Sequence, residues 1–236
     1  MLPAIVVIRA KDEELARGQG VVEVPILKPI PNDEALGRLR ELCMKRWDVV
    51  VFMSTTAVRY TYEVVKQPCW VRCMAVGPST RAFVEEYFHD SCLVPNEYSS
   101  MGLLQMLRHI DGKVLVLRSM EHALDLFKEL GDRVVELGLY GLTLINEELG
   151  KLKGLLSEVE SSGVKYAVVV TSPRVAREVS SMLTNLRNAI IVAIGPVTSR
   201  ELNKLNIPHR VAAVHTIDGA VEEARLALRE LNKGYG

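Results

Sequence analysis

The chain has 236 residues, 48% of them hydrophobic, with 29 Lys+Arg against 29 Asp+Glu. That apolar content supports a packed core and excludes a disordered chain, and the charge balance gives no overall field for nucleic acid or an anionic membrane. No apolar run approaches the length of a membrane span, and the opening MLPAIVVIRAKDEE lacks a basic stretch before its apolar run, so a soluble cytoplasmic protein is expected.

In chain order, residues 4–9 (AIVVIR) are the first β-branched run and end on Arg9. Residues 21–33 (VVEVPILKPIPND) hold three prolines and no helical period, which reads as an extended crossover. The stretch DEALGRLRELCMKRW then places Leu36, Leu39, Leu42 and Cys43 on one helical stripe. Strand-like runs follow at 48–53 (DVVVFM), 71–76 (VRCMAV), 113–118 (KVLVLR) and 133–140 (RVVELGLY). Residues 136–146 (ELGLYGLTLIN) are again extended, with two glycines. Further runs lie at 166–171 (YAVVVT) and 188–194 (NAIIVAI), and Val175, Val179 and Leu183 align on a helix between them. Near-continuous apolar strands alternating with helices mean parallel sheets covered on both faces. Two widely separated extended segments predict two domains. Residues 1–30 and 147–236 form one discontinuous α/β domain, 34–139 form an inserted α/β domain, and 25–33 and 140–146 are the linker strands.

Cys43, Cys69, Cys73 and Cys92 show no zinc-finger spacing and are expected to be buried apolar thiols, with a disulfide the less usual alternative for a cytosolic protein. His89, His109, His122, His209 and His215 form no triad or metal pattern. They are expected on the surface or in loops, with only His215 near a ligand-facing turn.

The chain also repeats itself. Ser54 ends one strand and Gly77 follows 23 positions later; Ser172 and Gly195 have the same spacing, at an offset of 118. The offset maps Pro78 onto Pro196, Thr80 onto Thr198, and, with one residue of slip, Gly102 onto Gly219. Upstream, Arg9 of VVIRA matches Arg118 of LVLRS approximately. Each copy therefore carries three strand-to-helix turns with hydroxyls: Ser54-Thr55, Gly77-Pro78-x-Thr80 and Ser99-Ser100 in one, and Ser172, Gly195-Pro196-x-Thr198 and Thr216 in the other. Such turns lie at the carboxyl edge of a doubly wound sheet, where ligands bind. The plainest role of each hydroxyl is to cap its helix. Together the helix N-termini suit a ligand bearing several anions. Arg9 and Arg118 either clamp a carboxylate or sit in surface ion pairs.

The ordered segments VVVFMSTTAV, MAVGPSTRAF, VPNEYSSMGLL, KVLVLR, VVELGLYG, VVVTSPRVAREV, IVAIGPVTSREL and HTIDGAV, spread over residues 4–228, resemble the uroporphyrinogen-III synthase family. The resemblance implies two doubly wound, flavodoxin-like parallel-sheet domains joined by a two-stranded linker, with the active site in the cleft between them. It implies a monomeric cyclase of porphyrin and heme biosynthesis needing no cofactor or metal. The implied substrate is hydroxymethylbilane, a linear tetrapyrrole polycarboxylate passed on by the enzyme that makes it. Water is lost, the macrocycle closes, and the terminal pyrrole ring is inverted through a spiro intermediate. Tyr140 matches the proposed acid. Ser54, Thr80, Ser172 and Thr198 match cleft-lining hydroxyls. The competing expectation is a cytoplasmic two-domain binding protein for a polycarboxylate or phosphate ligand, without catalysis.

Overall fold

The computed structural model describes residues 3–11, 19–121 and 126–233. The chain divides into a split unit, Met1–Lys28 with Thr143–Gly236, and a continuous unit, Pro29–Leu142. Strands β2 (Val21–Pro31) and β7 (Val134–Leu144) each carry the chain from one unit into the other.

The continuous unit contains α1 (Asp33–Leu42), β3 (Trp47–Phe52), α2 (Thr55–Val64), β4 (Trp70–Ala75), α3 (Pro78–Phe88), β5 (Cys92–Leu93), α4 (Ser100–Leu107) and β6 (Val114–Ser119), followed by a 3-10 segment, Leu126–Arg133, that leads into β7. Its strands are parallel in the order β7-β6-β3-β4-β5. Both faces are covered. Leu36, Leu39, Ala57, Val58, Val84 and Phe88 pack on the side of Val50, Phe52, Leu115 and Leu117. Leu103, Leu104, Leu107 and Phe127 pack on the opposite side, against Val49, Val51, Val114 and Val116. Burial on both faces is why the central stretches of these strands, such as residues 49–52 and 114–117, are continuously apolar rather than alternating.

The split unit contains β1 (Ile5–Ala10), α5 (Asn146–Ser161), β8 (Tyr166–Val170), α6 (Pro173–Leu183), β9 (Ala189–Ala193), α7 (Pro196–Lys204), β10 (Arg210–Val211) and α8 (Ile217–Lys233). Its order, β10-β9-β8-β1-β2, is again parallel. On α6 the expected stripe of Val175, Val179 and Leu183 is buried. Ala220, Val221 and Ala224 of α8 cover Ile5, Val7, Val169 and Val192. The α/β class with mainly parallel strands is the one read from the sequence.

The cysteines correct the sequence reading. They are not free thiols: Cys43 is bonded to Cys69 and Cys73 to Cys92. Cys73 and Cys92 are register partners on β4 and β5, and Cys43 follows α1 while Cys69 precedes β4. Pairing across strands and loops is a tertiary event that sequence spacing alone does not show. The segment 12–18 and His122 lie outside the described residues.

Candidate functional site

The carboxyl edge of each sheet is built from the same parts. In the continuous unit, Ser54 follows β3 and caps α2, its Oγ accepting from the Ala57 N–H at 3.1 Å. Gly77 follows β4 and is the N-cap of α3 with Pro78 behind it, contributing no capping side chain. Ser99 follows β5 and caps α4, accepting from the Gly102 N–H at 3.1 Å while donating to Glu97 at 2.8 Å. In the split unit, Ser172 accepts from the Val175 N–H at 3.2 Å at the start of α6. Gly195 opens α7 ahead of Pro196. Thr216 accepts from the Gly219 N–H at 3.0 Å at the start of α8. Hydroxyl capping is thus real at four of these turns, and it satisfies helix N–H groups that have no partner within the helix.

Glycine recurs where space requires it. A Cβ on Gly102 would stand 2.2 Å from the Glu97 carbonyl oxygen, and one on Gly219 would stand 2.2 Å from that of Val214. The Gly-Pro turns carry a ring each. Tyr98 lies 3.7 Å from the Cβ position of Gly77, and the His215 ring 3.2 Å from that of Gly195. The structure thus pairs Tyr98-Ser99 with His215-Thr216, which accounts for the one-residue slip in the repeat. Tyr98 is 61% exposed, and sequence reasoning passed over it; its place between the β5 run and Ser99 was the available signal.

Arg9 and Arg118 are buried, so neither forms the surface ion pair considered from sequence. Arg9 pairs with Glu23 of β2 and Arg118 with Glu136 of β7. In both cases the strand register sets the arginine two positions beyond the residue facing the glutamate. Thr80 and Thr198 are enclosed, at 5% and 2% exposure. Thr55 and Ser100, the first residues of α2 and α4, are partly exposed. His209 is tied down by Ser199 at 2.7 Å and the Ile207 carbonyl at 2.8 Å.

One pair has no counterpart across the repeat. The Tyr140 hydroxyl lies 2.9 Å from Ser54 Oγ, with the Tyr60 ring 5.9 Å from its own. Tyr140 faces Ser119 in the register, whereas Leu27 takes the matching place opposite Ala10. The arrangement therefore offers, in the continuous unit, a phenol joined by one hydrogen bond to the cap of a helix N-terminus. Negative charge forming on that oxygen would be favoured by the helix dipole. Among the described residues, no group of three or more His, Cys, Asp and Glu is placed to hold a metal ion, and no helix is long and apolar enough to cross a membrane.

Comparison with known proteins agrees with this architecture. The HEM4 family model, described as uroporphyrinogen-III synthase HemD, matches residues 11–222. A Methanocaldococcus jannaschii protein named "Putative uroporphyrinogen-III synthase" is 23% identical over 197 residues, covering 76% of this chain and 79% of that one. Among solved structures, uroporphyrinogen-III synthetase from Helicobacter pylori superposes with a TM-score of 0.65 at 16% identity, covering 96% of this chain and 100% of that one. A mutant uroporphyrinogen-III synthase from Thermus thermophilus superposes with a TM-score of 0.58 at 15% identity, covering 96% and 100%. At such identities the structural likenesses bear on the fold, while the family match spans most of the sequence. The chain belongs to the uroporphyrinogen-III synthase family of enzymes.

Proposed function

We propose that this enzyme cyclises hydroxymethylbilane to uroporphyrinogen III, and that Tyr140 is its proton donor. The observation that carries the reading is the Tyr140 hydroxyl held 2.9 Å from Ser54 at the opening of α2. The phenol gives its proton to the leaving hydroxyl of the terminal CH2–OH group. The C–O bond breaks, water departs, and the ring nitrogen's electrons form the exocyclic double bond of an azafulvene. The Ser54 O–H is placed to donate to the resulting phenolate. The substituted carbon of the last pyrrole then attacks, and rearrangement through the spiro intermediate inverts that ring.

The helix N-termini at Ser54, Thr55, Gly77, Thr80, Ser99 and Ser100, and at Ser172, Gly195, Thr198 and Thr216, take the substrate's carboxylates, each contributing on the order of 0.3–1 kcal/mol. Arg9 and Arg118 act as internal counter-charges for Glu23 and Glu136. The work of the enzyme is largely geometric, since presenting one carbon to a short-lived electrophile is a matter of orientation. The protein acts alone as a soluble monomer in the cytoplasm and receives its substrate from the preceding enzyme.

The test is incubation with hydroxymethylbilane followed by isomer separation. The expected product is type III; spontaneous closure to type I overturns the reading and leaves a binding protein. Tyr140→Phe is expected to slow turnover within the ~10²–10⁴-fold range of general acids while keeping type III. A normal rate removes Tyr140 from the mechanism. Replacing Thr80 and Thr198 together by Val is expected to weaken substrate binding with the fold intact; unchanged kinetics with reduced thermal stability would make them structural.

A further inference from the structure

Tyr140 is aimed by an irregularity in β7. Side chains of a regular strand alternate between faces, which would put Leu139 and Tyr140 on opposite sides. Both are instead buried in the same cluster. The register passes from Arg118 opposite Gly138 to Ser119 opposite Tyr140, so Leu139 is an extra residue and the side chain after it is turned over.

The three carbonyls of this bulge are each held. Asn32 Nδ2 donates to the Gly138 carbonyl at 3.1 Å and approaches the Met120 sulfur at 3.5 Å. The Asn32 N–H donates to Leu139 at 2.9 Å, and the Met120 N–H to Tyr140 at 2.7 Å. Gly138 makes room for this. A Cβ there would stand 2.9 Å from Met120 Cγ and 3.1 Å from its Cα. Its φ is not positive, so the glycine serves space rather than backbone freedom.

The split unit supplies an internal control. It has the same bulge, with Ile26 extra and Leu27 turned over. The backbone bonds recur, from Ile145 to Ile26 at 2.8 Å and from Lys11 to Leu27 at 2.7 Å. The side-chain part does not, because Ile145 stands in the place of Asn32 and Pro25 in the place of Gly138. The amide and the glycine accompany the copy that carries the tyrosine.

We infer that Asn32, Gly138 and Met120 are positioning residues that set the direction of the Tyr140 hydroxyl, an assignment that rests on Tyr140 as proton donor. Asn32→Asp is the cleanest probe. It keeps the acceptor that caps α1 through the Ala35 N–H at 3.2 Å but removes the donor to Gly138. The expected result is a fall in kcat of about tenfold or more, with KM within about twofold, and no further fall in the Tyr140→Phe background. Gly138→Ala should behave alike, and adding Met120→Ala, which removes the closer contact, should restore part of the rate. Equal losses in both tyrosine backgrounds overturn the inference while leaving Tyr140 as the acid. A wild-type protein that yields type I, or a Tyr140→Phe enzyme at full rate, overturns the proposed function instead. A readout free of turnover is the ring signal of isotopically labelled Tyr140. It should move in Asn32→Asp and Gly138→Ala, and an unmoved signal in both also overturns the inference.

Discussion

The two units share a topology and differ in how their cores are filled. The continuous unit packs rings on rings: Trp70 meets Phe52 and Phe88 edge to face, and Tyr62 joins Phe88 and Tyr87. It also carries both disulfides. On the matching side, under α6 and α7, the split unit instead buries Val175, Ala176, Val179, Leu183 and Leu202. One set of backbone rules thus accepts two solutions, because a parallel sheet dictates burial and direction but not which apolar shapes interlock. What both copies keep is at the carboxyl edge: capped turns, twin Gly-Pro corners and a buried Arg–Glu pair. Backbone-imposed features are shared, and side-chain fill is not.

The comparison can be broken most forcefully by reduction. Each disulfide closes a loop, of 26 and 19 residues in sequence separation, and the chain-entropy estimate for loops of this size is about 3 kcal/mol each. Reducing agent should lower protection against amide exchange across Pro29–Leu142 and leave the split unit's strands near their starting values. Equal losses in both units would mean that they unfold as one.

A smaller effect, and a symmetrical one, is expected at Gly102 and Gly219. In an open helix Gly→Ala gains about 1 kcal/mol. Here a Cβ meets a backbone oxygen at 2.2 Å in either copy, so both alanine variants should be destabilised, by about 1–3 kcal/mol. Denaturant midpoints measure this, and a stabilised variant in either copy would show that its turn relaxes freely.

The Gly-Pro corners sharpen the contrast further. Gly195→Ala brings a Cβ within 3.2 Å of the His215 ring, whereas Gly77→Ala meets Tyr98 at an ordinary 3.7 Å. The first should cost up to about 1 kcal/mol and the second nearly nothing. Midpoint shifts in the reverse order would mean that the two corners do not respond alike to the ring above them.

The smallest effect concerns pH. Burial first, then the hydrogen bond and charge of Glu160, push the Tyr166 phenol well above its usual value. A raised folded-state value means that the stabilisation is fully present below the unfolded value of about 10 and is lost as pH rises beyond it. Tyr166→Phe should therefore flatten the alkaline side of the stability profile. An unchanged profile would point to other groups.

The strands were legible because β-branched runs such as DVVVFM and YAVVVT are long, buried on both faces and bounded by turn residues. The repeat was legible because Ser, Gly, Pro and Thr at those turns answer to backbone geometry, which tolerates few substitutes. Two-residue strands such as β5 and β10 leave no period to detect. The Arg–Glu pairs were hidden because Glu23 follows Arg9 by 14 residues and Glu136 follows Arg118 by 18, so the common offset fails just where register matters. The contact between Ser54 and Tyr140 spans 86 residues. Nothing local marks it, and the bulge that makes it possible becomes visible only when two strands are laid side by side.

The shortness of β5 and β10 has a consequence for life in a concentrated solution. They are the outermost strands at one end of each unit's sheet, and each is two residues long. An exposed edge strand is a template on which a second chain can add its own strand and begin an aggregate. A two-residue edge offers an intruder almost no ladder to bind. Arg210 on β10 adds charge there and is anchored by Glu223 and Glu230, and Cys92 on β5 is bonded to its neighbour strand at Cys73. The longer, largely apolar strands in the interior are thereby kept from becoming sticky margins.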